Sequence, residues 1–185
     1  MLRFTTMKRD IQGRILELTI GDITHQQVDA IVNAANSGLA GGGGVDGAIH
    51  RRGGPAIMAD TKRRYPDGCR TGSAVISVAG DLAARHVIHA VGPRWNGGRR
   101  GEEELLASAY RTSLDLASQH NCRSVAVPAI SCGIYGYPVD LASRIALATT
   151  KVFLEQDPNL ELVRFVLFGE GIFGAFSAAL EELDQ

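Results

Sequence analysis

A chain of 185 residues, 45% hydrophobic and 21% charged, has the size and composition of one globular domain that can bury a core. Its formal net charge of −1 argues against a broad nucleic-acid-binding surface, and its three widely spaced cysteines form neither a disulfide framework nor a zinc motif. The start lacks the apolar run of a signal peptide and no segment is apolar enough to span a membrane, so a cytoplasmic protein is expected.

Short apolar runs alternate with longer helical patterns along the chain. Residues 1–12 are predicted to be either an extra edge strand or a loose arm, and a single domain is predicted for residues 13–185. Strands are predicted at 14–20, 30–34, 73–78, 86–91, 124–129 and 162–168, and helices at 45–52, 55–64 and along apolar stripes that begin near Leu106, Ala142 and Phe173. Several strands are almost continuously apolar, which favours an α/β layered domain with a largely parallel sheet.

Ligands in such sheets bind at the carboxyl ends of strands, and three segments there carry unusual residues. The first is Gly21-Asp22-Ile23-Thr24, after the strand at 14–20. The Asp22 carboxylate can accept a hydrogen bond from a ligand amine, such as the exocyclic amine of adenine. It can equally cap a turn or a helix start.

The second segment, residues 32–50, contains two asparagines, four consecutive glycines and Asp46 at the start of a predicted helix. Glycine backbone N–H groups next to a helix N-terminus suit a phosphate. The spacing of Gly42, Gly44 and Gly47 formally satisfies the dinucleotide fingerprint. However, these glycines begin several residues past the strand and no acid follows about 20 residues on, so we exclude the Rossmann interpretation.

Asp46 is informative because its carboxylate would repel a bound pyrophosphate. Next to a sugar hydroxyl or an attacking water it would instead accept a proton. The alternative is that Asp46 is the N-cap of the helix. For His50, on the same helix, packing or solvent exposure is favoured over catalysis.

The third segment, residues 128–138, again passes from a strand through glycines to a helix. It can supply further backbone N–H donors, with Tyr135 packing on a sugar or base. Cys132 is not favoured as a nucleophile because no general base can be assigned to it. His86 and His89 lie three apart on a strand, hence on opposite faces, so no metal site is predicted. The glycine-rich segment 97–101 is predicted to be a mobile loop.

Together these segments resemble the macrodomain family, in particular its MacroD-type hydrolase branch. The resemblance rests on GDIT at 21–24, VNAAN at 32–36, GGGGVDGAIHR at 41–51 and SCGIYG at 131–136, in this order and spacing. It implies a three-layer α/β/α sandwich around a mixed, mostly parallel sheet of about six strands. No cofactor is implied. Cys132 stands where the family commonly has Thr.

The resemblance also implies roles for matching residues. Asn36 would orient the distal ribose of ADP-ribose and Asp46 would position or deprotonate the attacking water, which makes these two the catalytic candidates. Asp22 would bind the adenine amine and Phe168 would lie against the ring. The full set of implied ligand-binding residues is Asp22, Ile23, Asn36, Gly43, Gly44, Val45, Asp46, Gly47, Ala48, Ile49, Ser131, Cys132, Gly133, Ile134, Tyr135 and Phe168.

The activity implied by the resemblance is hydrolysis of ADP-ribosyl esters, either on acidic side chains of mono-ADP-ribosylated proteins or in O-acetyl-ADP-ribose. The expected partners are ADP-ribose, ADP-ribosylated ligands and ADP-ribosylated proteins, and neither a membrane nor a nucleic acid. Two alternatives remain open at this point. One is a module that binds ADP-ribose without turnover, and the other is a regulatory role with an RNA or protein partner.

Overall fold

The computed structural model describes residues 5–183, and a seven-stranded mixed sheet forms its middle layer. The strands are β1 (Thr6–Ile11), β2 (Arg14–Ile20), β3 (Ala30–Ala34), β4 (Ala74–Val78), β5 (His86–Ala90), β6 (Ser124–Val127) and β7 (Leu162–Leu167). Their order across the sheet is β1-β2-β7-β6-β3-β5-β4. The central strands β2, β7, β6, β3 and β5 run parallel, while β1 and β4 pair antiparallel at the two edges.

The sheet has one strand more than the six or so that were expected, because residues 6–11 form the edge strand β1. Most of these residues are polar, and only Ile11 is buried. An edge strand with solvent on one side needs no continuous apolar run, so its sequence resembles that of a loop. Pairing with β2 from Thr6 to Ile11 is what identifies it as a strand.

Five helices cover the two faces of the sheet. They are α1 (Gly44–Gly53), α2 (Ala56–Arg64), α3 (Glu102–Gln119), α4 (Val139–Gln156) and α5 (Glu170–Glu182). Side chains alternate between the faces along each strand, so Val32 of β3 packs with α3, α4 and α5, whereas Ile31 packs with Ile49 of α1 and Ile57 of α2. Both faces of the central strands are therefore buried, which explains their continuous apolar sequences.

Parallel strands bring their carboxyl ends to one edge of the sheet. Because β2, β7, β6, β3 and β5 are successive neighbours, the segments that follow them lie side by side along this edge. Two of these segments are glycine-containing loops. The first glycine loop, residues 35–43, connects β3 to α1, and the second glycine loop, residues 128–138, connects β6 to α4. The three segments singled out in the sequence thus meet at one place.

Candidate functional site

Three adjoining cavities lie at this edge. The apolar cavity, about 440 Å³, includes Asp22, Ile23, Val166, Phe168 and Ile172 at the ends of β2 and β7. The central cavity, about 270 Å³, lies between the two glycine loops, and it shares Gly44, Val45, Ala129 and Gly133 with the apolar cavity. The basic cavity, about 390 Å³, lies beyond the end of β5, and it shares Asn36, Gly92, Arg94 and Tyr135 with the central cavity.

Asp22 has the capping role, which is one of the two roles that the sequence left open. Its Oδ1 accepts hydrogen bonds from the Thr24 backbone N–H at 2.8 Å and hydroxyl at 2.6 Å, so it caps the short 3₁₀ turn Ile23–His25. The hydrogen bond from the Thr24 hydroxyl is the main reason why the pKa of Asp22 lies below its usual value. Its other oxygen, Oδ2, lies 3.1 Å from His25 Nδ1. The capped carboxylate also borders the apolar cavity.

Phe168 follows the last residue of β7 and lies at the rim of the apolar cavity. It is 86% exposed, although it is one of the largest apolar side chains in the protein. On the rim of the central cavity, Ile134 is 84% exposed. Large apolar side chains that stay exposed beside a cavity are typical of ligand-binding surfaces.

Asn36 shapes the first glycine loop. Its Nδ2 donates to the Gly41 carbonyl at 2.8 Å, and its Oδ1 accepts from the Ala40 N–H at 3.0 Å. One N–H and one lone pair of the amide remain for another partner. Asn36 borders both the central and the basic cavity.

Asp46 lies in the first turn of α1 and is not its N-cap. The N-cap is Gly43, and the Asp46 side chain turns inward, where it is 6% exposed. Its Oδ1 accepts a hydrogen bond from Asn33 Nδ2 at 2.7 Å and lies 3.2 Å from His50 Nε2. A carboxylate that is buried and hydrogen-bonded in this way is held in one orientation.

The contacts of Asp46 continue into the protein through Asn33 and His89. Asn33 Nδ2 can only donate, so His89 Nδ1, at 3.1 Å, is the acceptor. His89 Nε2 must then carry the proton and donate to Ser77 Oγ at 2.8 Å, and Ser77 in turn donates to the Val78 carbonyl. Burial is the main reason why the pKa of His89 falls to about 3, so this histidine is neutral.

The sequence did not reveal this network. Asn33 stands in an apolar strand and is completely buried, and a polar residue at such a position needs a partner. His50 follows Asp46 by four residues, which places both on one helix face. These two signals pointed to the contact, but the interpretation of His50 as a packed or exposed residue overlooked it.

The second glycine loop is held by backbone geometry. Ser131 has a φ of +67°, which is unusual for a residue with a side chain. Its carbonyl accepts from the Tyr137 N–H at 3.0 Å, and its Oγ is buried without a hydrogen-bond partner among the described residues. The Trp95 N–H donates to the Tyr135 carbonyl at 2.8 Å, so the loop is tied to the segment after β5.

Cys132 lies at the edge of the apolar cavity. It is half-buried, and burial raises the pKa of its thiol to about 12. A thiol with so high a pKa is protonated at neutral pH, and the thiolate is the nucleophilic form. The structure therefore supports the interpretation that Cys132 is not a nucleophile.

Two of the residues expected at the ligand border none of the three cavities. Ile49 is completely buried and packs in the core between α1 and the sheet. A Cβ at Gly47 would be only 2.5 Å from the Gly42 carbonyl oxygen. Gly47 lines neither the apolar nor the central cavity. Ile49 lies one helical turn after Val45, beyond the cavity wall, where it packs with Ile31 and Ile57.

The segment 97–101, predicted to be mobile, is organised around a buried carboxylate. Glu102 is 1% exposed and accepts hydrogen bonds from the backbone N–H groups of Asn96, Gly98 and Arg100. Burial alone would raise its pKa, but these backbone hydrogen bonds outweigh burial and lower it. The segment thus has a defined conformation next to the basic cavity.

A groove of about 510 Å³ between α3 and α4 shares no residue with the three cavities. Within residues 5–183, no three or more His, Cys, Asp or Glu side chains are grouped so that they could hold a metal ion. None of the helices in this part of the chain is long and apolar enough to cross a membrane.

Comparison with known proteins gives consistent matches. The model of the family described as "Macro domain" matches residues 32–146. A macro domain-containing protein of Caldanaerobacter subterraneus is 54% identical over 172 residues, which cover 92% of this chain and 98% of that protein. A protein of Klebsiella pneumoniae named O-acetyl-ADP-ribose deacetylase is 54% identical over 156 residues, which cover 83% of this chain and 89% of the other.

Among solved structures, the macrodomain of Oceanobacillus iheyensis with ADP has a TM-score of 0.91 and 40% sequence identity, and the match covers 97% of this chain and 96% of that one. A variant of the same macrodomain, solved with ADPR, has an equal TM-score of 0.91. The likeness therefore covers nearly the whole fold, including the edge where the three cavities lie.

Proposed function

Because this chain belongs to the Macro domain family, we propose that it binds ADP-ribose across the apolar and central cavities and hydrolyses esters of the distal ribose. The substrates would be O-acetyl-ADP-ribose and ADP-ribose linked to acidic side chains of proteins. The deacetylase names of relatives about half identical to this chain support the reaction class. The solved relatives with ADP and ADPR support the ligand.

In this proposal the adenosine occupies the apolar cavity. The Asp22 carboxylate accepts a hydrogen bond from the adenine amine, Ile23 lines the pocket, and the exposed ring of Phe168 packs on the base. Stacking of this kind would bury much of the Phe168 side chain, which is the reason for its exposure in the free protein.

The pyrophosphate lies in the central cavity, between the N-terminus of α1 and the second glycine loop. The first N–H groups of a helix have no intrahelical partner and carry partial positive charge, so Gly44 and Val45 can donate to phosphate oxygens. The buried Ser131 Oγ provides a further donor at the cavity wall. Gly43, Gly133, Ile134 and Tyr135 complete the enclosure.

Asp46 carries out the chemical step. With the distal ribose beside Asn36, the Asp46 carboxylate positions a water and accepts a proton from it as the water adds to the ester. The products are ADP-ribose and a free carboxylic acid. Asn33 and His50 keep the carboxylate in place, and the ligand's pyrophosphate can help to activate the same water.

One observation carries this proposal: the buried Asp46 carboxylate, which Asn33 and His50 hold at the wall of a cavity between two glycine loops. A site that held only phosphate would not place a carboxylate there, since like charges repel. A role as proton acceptor next to the ribose explains why a carboxylate lies in this cavity.

The test is turnover of O-acetyl-ADP-ribose and of a protein ADP-ribosylated on glutamate by purified protein. We expect Asp46→Asn to lower kcat by about 10²- to 10⁴-fold, the range for loss of a general base, while ADP-ribose affinity measured by calorimetry is retained. Asp140→Asn is the matched control, because Asp140 is an exposed acid in the first turn of α4, the helix after the second glycine loop. Tight ADP-ribose binding by the wild type without turnover of either ester would mean a binding module, and a fully active Asp46→Asn would refute the role of Asp46.

A further inference from the structure

The basic cavity continues the row of sites at the sheet edge. The apolar cavity lies at β2 and β7, the central cavity at β6 and β3, and the basic cavity beyond the end of β5. Asn36 and Gly92 form part of the wall shared by the last two cavities. A Cβ at Gly42 would be 3.4 Å from Asp46 Oδ2 and 4.0 Å from Asn36 Nδ2, so Asp46 lies close to this wall.

In the proposed binding mode, a group attached to the distal ribose extends towards the basic cavity, which adjoins the central cavity at Asn36 and Gly92. The ester oxygen must lie beside Asp46 for the proposed reaction, and the acyl group extends away from the rest of the ligand. An acetyl group is too small to reach far beyond Asn36. A peptide attached through a glutamate side chain has to continue into or over the basic cavity.

The charge of this cavity is positive on its accessible side. Arg94 and Arg100 are exposed, and the Arg94 guanidinium lies over the Tyr135 ring, 4.5 Å from its centre. Neither arginine forms an ion pair with an acid among the described residues. The one carboxylate in the lining, Glu102, is buried beneath the segment 96–100, and three backbone N–H groups bind it.

From this arrangement we propose that the basic cavity is a subsite for the acceptor, which binds acidic residues next to the ADP-ribosylated glutamate of a peptide. The inference rests on the proposed function and names the preferred substrate class: ADP-ribosylated segments rich in Asp and Glu. Arg100 is the specificity-determining residue of this subsite, since it borders the basic cavity but not the central one.

The experiment compares three substrates: free O-acetyl-ADP-ribose, a peptide with ADP-ribose on a glutamate flanked by acidic residues, and the same peptide flanked by serine and glycine. We expect the wild type to prefer the acidic peptide through a lower KM. Arg100→Ala should reduce kcat/KM for this peptide by about threefold and Arg100→Glu by about tenfold, as expected for an exposed charge pair at low salt. Both variants should leave the free metabolite and the neutral peptide unaffected.

Arg99→Ala is the matched control, because Arg99 is an exposed arginine in the same segment that does not line the cavity. The Arg100 backbone N–H that binds Glu102 is retained in every variant, so the loop is preserved. The proposal is wrong if the wild type does not distinguish the two peptides, or if Arg99→Ala and Arg100→Ala act alike. It is also wrong if Arg100→Glu changes turnover of an ADP-ribosylated oligonucleotide but not of the acidic peptide. Failure of the wild type to hydrolyse any of the three substrates would instead refute the proposed function.

Discussion

The two glycine loops line the same cavity but are held in different ways. The first is held by the Asn36 amide, which bonds the loop backbone, and behind it the Asp46 carboxylate accepts a hydrogen bond from Asn33 and lies 3.2 Å from His50 Nε2. The second is held by its backbone and by close packing, with Ser131 at positive φ and directly against Gly92. Two loops that line one cavity are thus stabilised in two different ways.

The two loops also differ in the ionisable groups that lie near them. Behind the first loop, Asp46 is linked through Asn33 to a buried ionisable group, His89, so stability on this side of the site depends on pH. At the second loop, Cys132 and Tyr110 stay neutral at neutral pH, because burial raises their pKa values. In the proposed function, the side of the first loop supplies the proton acceptor and the second loop shapes the cavity.

The largest expected effect is acid destabilisation through His89. Its pKa is about 3 in the folded protein and about 6.5 when unfolded, so the unfolded chain binds a proton that the folded one does not. Stability is therefore complete above pH 6.5 and is lost as the pH falls towards 3, by about 3 kcal/mol between pH 6.5 and 4. Urea unfolding at a series of pH values measures this.

The comparison variant is His89→Gln, which cannot be protonated. Its stability should vary less between pH 6.5 and 5, a range above the usual pKa values of carboxylates. His86, whose pKa burial also lowers, is present in both proteins, so the difference in slope reports His89 alone. Equal slopes would show that His89 is not a buried neutral base.

The next effect concerns packing under the second loop. A Cβ at Gly92 would be 2.2 Å from Ser131 Oγ and 2.5 Å from Ile130 Cγ2, and Ile130 is fully buried and cannot move aside. We expect Gly92→Ala to destabilise the fold by about 2 kcal/mol and to weaken ADP-ribose binding, because Ser131 must shift. Gly133→Ala is the control, since no atom lies within 4 Å of its Cβ position, and its stability should match the wild type.

The smallest effect separates packing from ligand approach in the first loop. A Cβ at Gly47 would be 2.5 Å from the Gly42 carbonyl oxygen, whereas at Gly43 it would meet no atom within 4 Å. We expect Gly47→Ala to cost about 1 kcal/mol, because the overlap exceeds the gain in helix propensity. Gly43→Ala should keep its stability within about 0.5 kcal/mol yet bind ADP-ribose less tightly, since its Cβ enters the central cavity. Calorimetry beside thermal unfolding distinguishes the two, and equal affinity of Gly43→Ala and wild type would contradict a close approach of the ligand to this loop.

Much of the fold followed from local patterns. The central strands were recognised because both of their faces are buried, and the long helices because α3 and α4 each bury one apolar stripe. β1 had no such pattern, since only Ile11 of this edge strand enters the core. Within the site, Asp46 was recognised because a carboxylate is unexpected beside a loop that suits phosphate. No spacing rule connected it to Asn33 and, through Asn33, to His89, because these residues lie on the strands β3 and β5.

The amino-acid sequence by itself determined the layered α/β class, the positions of the two glycine loops at strand ends, and the chemical groups that these loops carry. These properties depend on periodicity, propensity and residue type, which are local. Only the tertiary structure decided that β6 lies between β7 and β3, and this order brings the two loops and the ends of β2 and β7 together. It also decided that Ile49 faces the core, that Asp46 is held by Asn33 and His50, and that Arg100 lies beyond the central cavity. Such relations join residues far apart in the chain, and packing of the whole sheet and its helices is what determines them.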